Sequence, residues 1–250
     1  MGTTGLNRIN KNGWYPTKFE KHGSVWRTSR RNVTVFSRMI GDIQASGYQI
    51  AIEEHAFGDL VDLGCGNAPL TGVYHDRVES YTWADWPDSP HQQFKLDSEV
   101  DLNELLPFSD ANFDTVLLSD VLEHIAYPDK LMAEIKRILR PGGVAIIGVP
   151  FLYGLHEMPH DHHRYTRSRL ELFAQDHGLN VVSIDETAGG FLALADLTIK
   201  LTWQKKYLRF VAYITHGIAT FLRPSKLFQR FNSGLSKVMP LCYIAIYRKP

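Results

Sequence analysis

Apolar and polar positions alternate along the chain in two distinct periods. Short apolar runs that read as strands occur at Asp59–Leu63, Ser80–Ala84, Phe113–Leu118, Val144–Val149, Val181–Ile184 and Cys242–Tyr247. Helical spacing separates them. Val33, Phe36, Ile40 and Ile43 predict an amphipathic helix within residues 31–56. Leu131, Ile135, Ile138 and Leu139 predict a second, stopped by Pro141-Gly142-Gly143. A third is expected to start near Ser168, with Glu171 placed for a capping box, and to end at Gly178. Strands alternating with helices of this length predict an α/β fold, a doubly wound and mostly parallel sheet with helices on both faces.

Two segments break the rhythm. Residues 1 to about 30 are polar, basic and aromatic, with Trp14, Tyr15 and Trp26, and read as an arm or flap. Residues 191–237 read as two or three helices inserted before the last strand. The expected organisation is an arm and cap helix (1–56), a cofactor-binding core (57–190), a helical lid (191–237) and the last strand of the core sheet (238–250).

Composition changes this picture little. The 250 residues hold 44% hydrophobic and 22% charged side chains, ordinary for a globular protein, and the formal net charge is zero. A neutral total does not point to nucleic acid. The distribution is uneven, however. Seven Lys or Arg face Glu20 alone in residues 1–32, residues 85–134 are acidic, and eight basic residues face Asp196 alone in 191–237. These are either solvated faces or a basic rim suited to an anionic acceptor or a membrane surface. Only Cys65 and Cys242 are present, so no disulfide framework is expected. With no apolar signal core at the start and an apolar stretch (207–222) too short for an easy membrane span, the expectation is a cytoplasmic protein, with room for peripheral membrane contact through 191–237 and for a homodimer.

The strongest local signal is Val61-Asp62-Leu63-Gly64-Cys65-Gly66-Asn67-Ala68-Pro69, an apolar strand running into a glycine turn. Nineteen residues after Gly66, at the end of the next strand signal, stands Asp85, a carboxylate placed to accept the two ribose hydroxyls of an adenosine cofactor. Pro69 occupies the position where a dinucleotide fingerprint needs its third glycine to seat a pyrophosphate. S-adenosylmethionine (SAM) has no pyrophosphate, and its cationic sulfonium suits an acidic loop.

From about Gly58 to Asp185 the chain resembles the class I SAM-dependent methyltransferases, particularly the group called methyltransferase type 11. The resemblance rests on VDLGCGNAPL, on Asp85, on DLNELLPFSDANFDTVLLSDVLEHI and on LMAEIKRILRPGGVAIIGVP, in that order. It implies a Rossmann-like seven-stranded sheet, SAM as cofactor and S-adenosylhomocysteine as product. Gly64, Cys65 and Gly66 would line the methionine end, with Asp62 near the amino group. Asp85 and Trp86 would sit at the ribose, and Asp101 and Leu102 would flank the adenine. Ser119 and Asp120 would lie beneath the sulfonium. Asp101 has a second reading, as a surface turn carboxylate.

After the fifth strand comes PFLYGLHEMPHDHHRYT, with His156, His160, His162 and His163. Methyl transfer needs alignment above all, and a hydroxyl acceptor also needs a base, a role that suits histidine near neutral pH. Three readings stand. His156 or His160 is a general base. Alternatively the run is structural, with Arg164 and Tyr165 pinning the loop. Or a divalent metal, not otherwise expected, is held by Asp120, Glu123 and His124, expected on one helical turn at i, i+3 and i+4. This resembles some metal-dependent SAM methyltransferases, which carry Glu-x-x-Glu-His here with a later histidine completing the site, Asp120 replacing the first Glu. The acceptor is expected to be a small molecule or glycan methylated at oxygen. A lipid-like acceptor methylated at carbon or nitrogen is the alternative, as is a non-catalytic subunit of the same fold. Nucleic acid is not expected, because Ser119-Asp120-Val121-Leu122 stands where base methyltransferases carry an Asn-Pro-Pro-Tyr type motif.

Overall fold

A computed structural model of the chain describes residues 14–87 and 94–250. Seven strands form one sheet: β3 (Asp59–Leu63), β4 (Ser80–Asp85), β5 (Ser98–Glu99), β6 (Phe113–Ser119), β7 (Leu139–Pro150), β8 (Asn180–Gly189) and β9 (Pro240–Arg248). Their spatial order is β5-β4-β3-β6-β7-β9-β8. All neighbours run parallel except β9, which pairs antiparallel with both β7 and β8. The order reverses between β3 and β6, and that is where a doubly wound sheet opens a crevice at the strands' carboxyl ends.

The alternation of strand side chains divides the core into two layers. Val61, Leu63, Val116 and Leu118 face α3 (Pro128–Ile138) and α4 (Arg167–Asp176), where Leu131, Met132, Ile135, Leu170 and Phe173 are buried. Leu60, Leu117, Ile146 and Ile244 face the other way, against α1 (Val35–His55) and the short helix α2 (Thr71–Tyr74). Residues 14–28, read from sequence as a loose arm, are instead packed. They include a hairpin of β1 (Phe19–His22) and β2 (Val25–Thr28), with Trp14, Phe19 and Trp26 buried. Their aromatic rings supply enough apolar area to hold the segment on the domain. The expected arm before Trp14 lies outside the described residues.

Three further sequence expectations are corrected. The cap of α4 is Thr166, whose hydroxyl accepts from the Arg169 N–H at 3.3 Å, rather than Ser168 with Glu171. A threonine hydroxyl two residues earlier reaches the free amide first. The helix α3 ends at Ile138, before Pro141-Gly142-Gly143, which belong to the start of β7. The two-residue strand β5 carries too few positions to show a period and went unread.

After β8 come three helices, α5 (Phe191–Trp203), α6 (Arg209–Leu222) and α7 (Lys226–Val238). Buried Asn232 ties α7 to the start of α5: its carbonyl accepts from the Phe191 N–H at 2.8 Å, and its amide donates to the Gly189 carbonyl at 3.1 Å. Among the described residues no helix is long and apolar enough to cross a membrane.

Candidate active site

A cavity of about 980 Å³ opens at the carboxyl ends of β3, β4 and β6, within the range of small-molecule sites. Its floor is the turn after β3. Gly64 has φ +67°, and a Cβ there would come within 2.6 Å of a Val121 methyl. Only glycine combines that left-handed backbone with that approach. Asp85, at the end of β4, fixes the turn. Its carboxylate accepts from the Gly66 N–H at 2.6 Å and from the Trp86 N–H at 2.7 Å. The lining includes Gly64, Cys65, Gly66, Asp85, Trp86, Asp101, Leu102, Ser119 and Asp120. Nine of the ten residues assigned to the cofactor from sequence therefore meet in one place.

Asp62 is the exception. It lies in β3, 1% exposed, on the face that turns away from the cavity towards α2. One carboxylate oxygen accepts from the Tyr74 hydroxyl at 3.0 Å, and Tyr74 also accepts from the Trp83 indole N–H at 2.9 Å. The other oxygen has no hydrogen-bond partner among the described residues. Burial pushes the carboxyl up from 3.8 to about 7, against a smaller lowering by Tyr74. Strand alternation explains the placement: if Val61 and Leu63 face one layer, Asp62 must face the other. Asp101 lines the cavity but is exposed, and its carboxylate accepts from the backbone and side-chain N–H groups of Asn103 at 2.9 and 3.1 Å. Cys65 is buried and its thiol pushed well up by burial, which leaves it no nucleophilic character.

The segment before β1 closes over the glycine turn. The Trp14 indole N–H donates to the Ala68 carbonyl at 3.0 Å, and the Thr17 hydroxyl donates to the Asn67 carbonyl at 3.2 Å. Tyr15, Thr17 and Lys18 line the cavity. Tyr48 of α1 also reaches it, passing over Gly148 of β7, where an added Cβ would collide with the phenol oxygen. Its hydroxyl bonds to Asp120, and burial pushes both acids up. Sequence reasoning missed Tyr48, although its place on the buried face of α1 was readable.

The histidine run borders the far end of the cavity. Arg164 holds it, donating to both oxygens of Asp161 at 2.6 and 2.8 Å and to the carbonyls of Tyr153, Gly154 and His163. The guanidinium keeps the Asp161 carboxyl well below the usual carboxylate range. The Tyr165 hydroxyl donates to the Leu122 carbonyl at 3.0 Å. His124, Glu157 and His160 line the cavity, and His160 stands edge-on to Trp86 with ring centroids 5.7 Å apart. His156 turns away, towards Glu123. Asp120, Glu123 and His124 do not share a helical turn. Asp120 follows β6 with φ +55°, and a 3-10 turn, Leu122–His124, comes next.

A doubly wound sheet with a glycine turn at the switch point, an acidic residue ending the next strand and no pyrophosphate-seating third glycine defines a SAM-type methyltransferase fold. Residues 61–147 match a family described as methyltransferase domain. That stretch of the chain is similar to methyltransferase domains. An uncharacterized methyltransferase of Mycolicibacterium paratuberculosis is 38% identical over 152 residues, 56% of this chain and 58% of that relative. A ubiquinone biosynthesis O-methyltransferase of Nitrosococcus oceani is 24% identical over 154 residues, 50% of this chain and 64% of the relative. The chain thus spans less than two thirds of either. A SAM-dependent methyltransferase of Archaeoglobus fulgidus shares the fold, with a TM-score of 0.52 at 15% identity, covering 81% of this chain and 93% of that one.

Proposed function

We propose that the protein transfers a methyl group from SAM to an oxygen of a small-molecule or glycan acceptor. The reading is carried by one juxtaposition: the glycine turn and Asp85 at one end of the cavity, and Asp120, His124 and His160 at the other. The donor set fits the cofactor. The Asp85 carboxylate stands beside the glycine turn, where it would accept from ribose hydroxyls, and Leu102 offers an apolar wall for a purine. SAM supplies an electrophilic methyl group when bound. His160 lines the cavity beside Trp86 and would take the proton of an acceptor hydroxyl held there. The trapped loop and the Trp14–Lys18 segment align the reactants, which is where most of the rate gain of such a displacement arises. The test is titration calorimetry with SAM and S-adenosylhomocysteine. Micromolar binding is expected, weakened at least about 100-fold in Asp85→Ala through lost charge-assisted hydrogen bonds to both loop and ribose. Equal binding by the variant would refute the assignment. A methylation screen over hydroxylated acceptors then tests the acceptor class.

A second reading, a lipid-like or membrane-proximal acceptor, draws support from α6 and α7. Phe210, Tyr213, Ile214, Ile218 and Phe221 of α6, and Leu227, Phe231 and Val238 of α7, are each more than half exposed along one face of their helix. The chain has no Asp or Glu after Asp196, while Lys205, Lys206, Arg209, Arg223, Lys226, Arg230 and Lys237 flank those faces. Apolar stripes with basic flanks suit the surface of an anionic bilayer. Sedimentation with anionic but not neutral vesicles is expected, and its absence at low salt removes this reading.

A further inference from the structure

Glu123 is fully buried, yet neither of its carboxylate oxygens accepts a hydrogen bond from any described residue. Two imidazoles converge on it. His124 Nε2 lies 3.7 Å and His156 Nε2 lies 3.6 Å from the same oxygen, Oε1. These separations are too long for a charge-assisted hydrogen bond, which closes at roughly 2.7–2.9 Å. They suit a shared cation. Two donors on a tetrahedral ion with bonds of about 2.0–2.1 Å sit roughly 3.4 Å apart.

The opposite edges of both rings are held by backbone carbonyls. His124 Nδ1 is 3.0 Å from the His160 carbonyl, and His156 Nδ1 is 3.2 Å from the Gly154 carbonyl. A carbonyl oxygen only accepts, so each Nδ1 carries a proton, and in the neutral ring Nε2 then presents its lone pair. Metal-bound histidines show the same arrangement, with the second nitrogen donating to a carbonyl or carboxylate. The remaining shell is also built. The Glu123 carbonyl accepts from the His162 and His163 N–H groups at 2.9 and 3.1 Å, locking the loop to the 3-10 turn. A fourth polar atom, Glu157 Oε2, lies 3.8 Å from His124 Nε2. One ligand atom each from Glu123, His124 and His156 falls within 4.8 Å of the others.

We propose that Glu123, His124 and His156 bind one divalent transition ion of the zinc, manganese or iron class at the edge of the methyltransferase cavity. Two imidazole donors favour these over magnesium or calcium, which prefer all-oxygen shells. His156 replaces Asp120 in the ligand set expected from spacing, and the Asp120 carboxylate accepts from the Tyr48 hydroxyl instead. His124 and Glu157 also line the cavity, so the site adjoins the space where an acceptor would sit. There the ion would bind an acceptor oxygen and ease loss of its proton. This role rests on the methyl-transfer reading, whereas ion binding itself does not.

The experiment uses the full chain stripped with a chelator. Zn²⁺ and Mn²⁺ are titrated by calorimetry, with Mg²⁺ as comparison, and SAM is titrated into the same preparations. One Zn²⁺ or Mn²⁺ per chain is expected, with affinity reduced at least tenfold in Glu123→Gln and in His156→Ala and unchanged in His162→Ala. Circular dichroism confirms folding. If Glu123→Gln does not fold, His156→Ala, whose side chain is 27% exposed, decides the matter. Absence of stoichiometric uptake by the wild type, or equal uptake by His156→Ala, overturns the site. Uptake without SAM binding keeps the metal site and removes methyl transfer. SAM binding without uptake does the reverse.

Discussion

Replacing Asp62 by Asn should make the protein more stable at neutral and alkaline pH, although Asp62 sits inside its most recognisable motif. Buried beside Tyr74, this carboxyl titrates near 7 rather than 3.8. Between those values the folded chain holds a proton that the unfolded chain has released, so stability falls as pH rises. Below about pH 4 both states are protonated, and above about pH 7 both are ionised, so the loss is confined to that window. At about 1.36 kcal/mol per tenfold change in proton affinity, the full loss is about 4 kcal/mol, of which about 2.5 kcal/mol falls between pH 5 and pH 8. Asparagine keeps an oxygen to accept from the Tyr74 hydroxyl and carries no charge. Its amide, like the protonated acid, places donor hydrogens at the buried oxygen position that has no partner among the described residues. The two proteins should therefore match at low pH and diverge as pH rises. The assay is urea unfolding of both at pH 5 and pH 8. The Asp62→Asn minus wild-type difference should grow by about 2.5 kcal/mol, and groups common to both cancel. A difference independent of pH, or one that moves against the variant, would refute the reasoning and would place a charge-stabilising partner at Asp62.

Other outcomes follow from the same geometry. Gly64→Ala should destabilise by about 1–3 kcal/mol and abolish SAM binding, since the new methyl meets Val121 at a left-handed φ. Adding Val121→Ala should recover part of the stability in thermal melts, and full recovery would show that φ imposes no strain. Asn232→Ala should cost about 2–3 kcal/mol, because it strips a buried partner from both the Phe191 N–H and the Gly189 carbonyl. A loss below about 0.5 kcal/mol in urea unfolding would mean that α7 does not anchor α5.

The linear pattern determined the fold class and most of the residues that meet in the cavity. Strand and helix periods are local properties, and the switch-point rule then places the ends of particular strands side by side. Gly64, Gly66 and Asp85 were legible because their spacing alone brings them to one crevice. The direction of a side chain was not legible for Asp62, because its neighbours Val61 and Leu63 are apolar and both faces of this sheet are covered. Only the packed structure decided which layer it entered. The same holds for Tyr48, which reaches the site from a helix a hundred residues before Gly148, and for His156, which a loop pinned by Arg164 delivers to Glu123. Contacts between residues so far apart in sequence depend on how elements pack, and no local period encodes that.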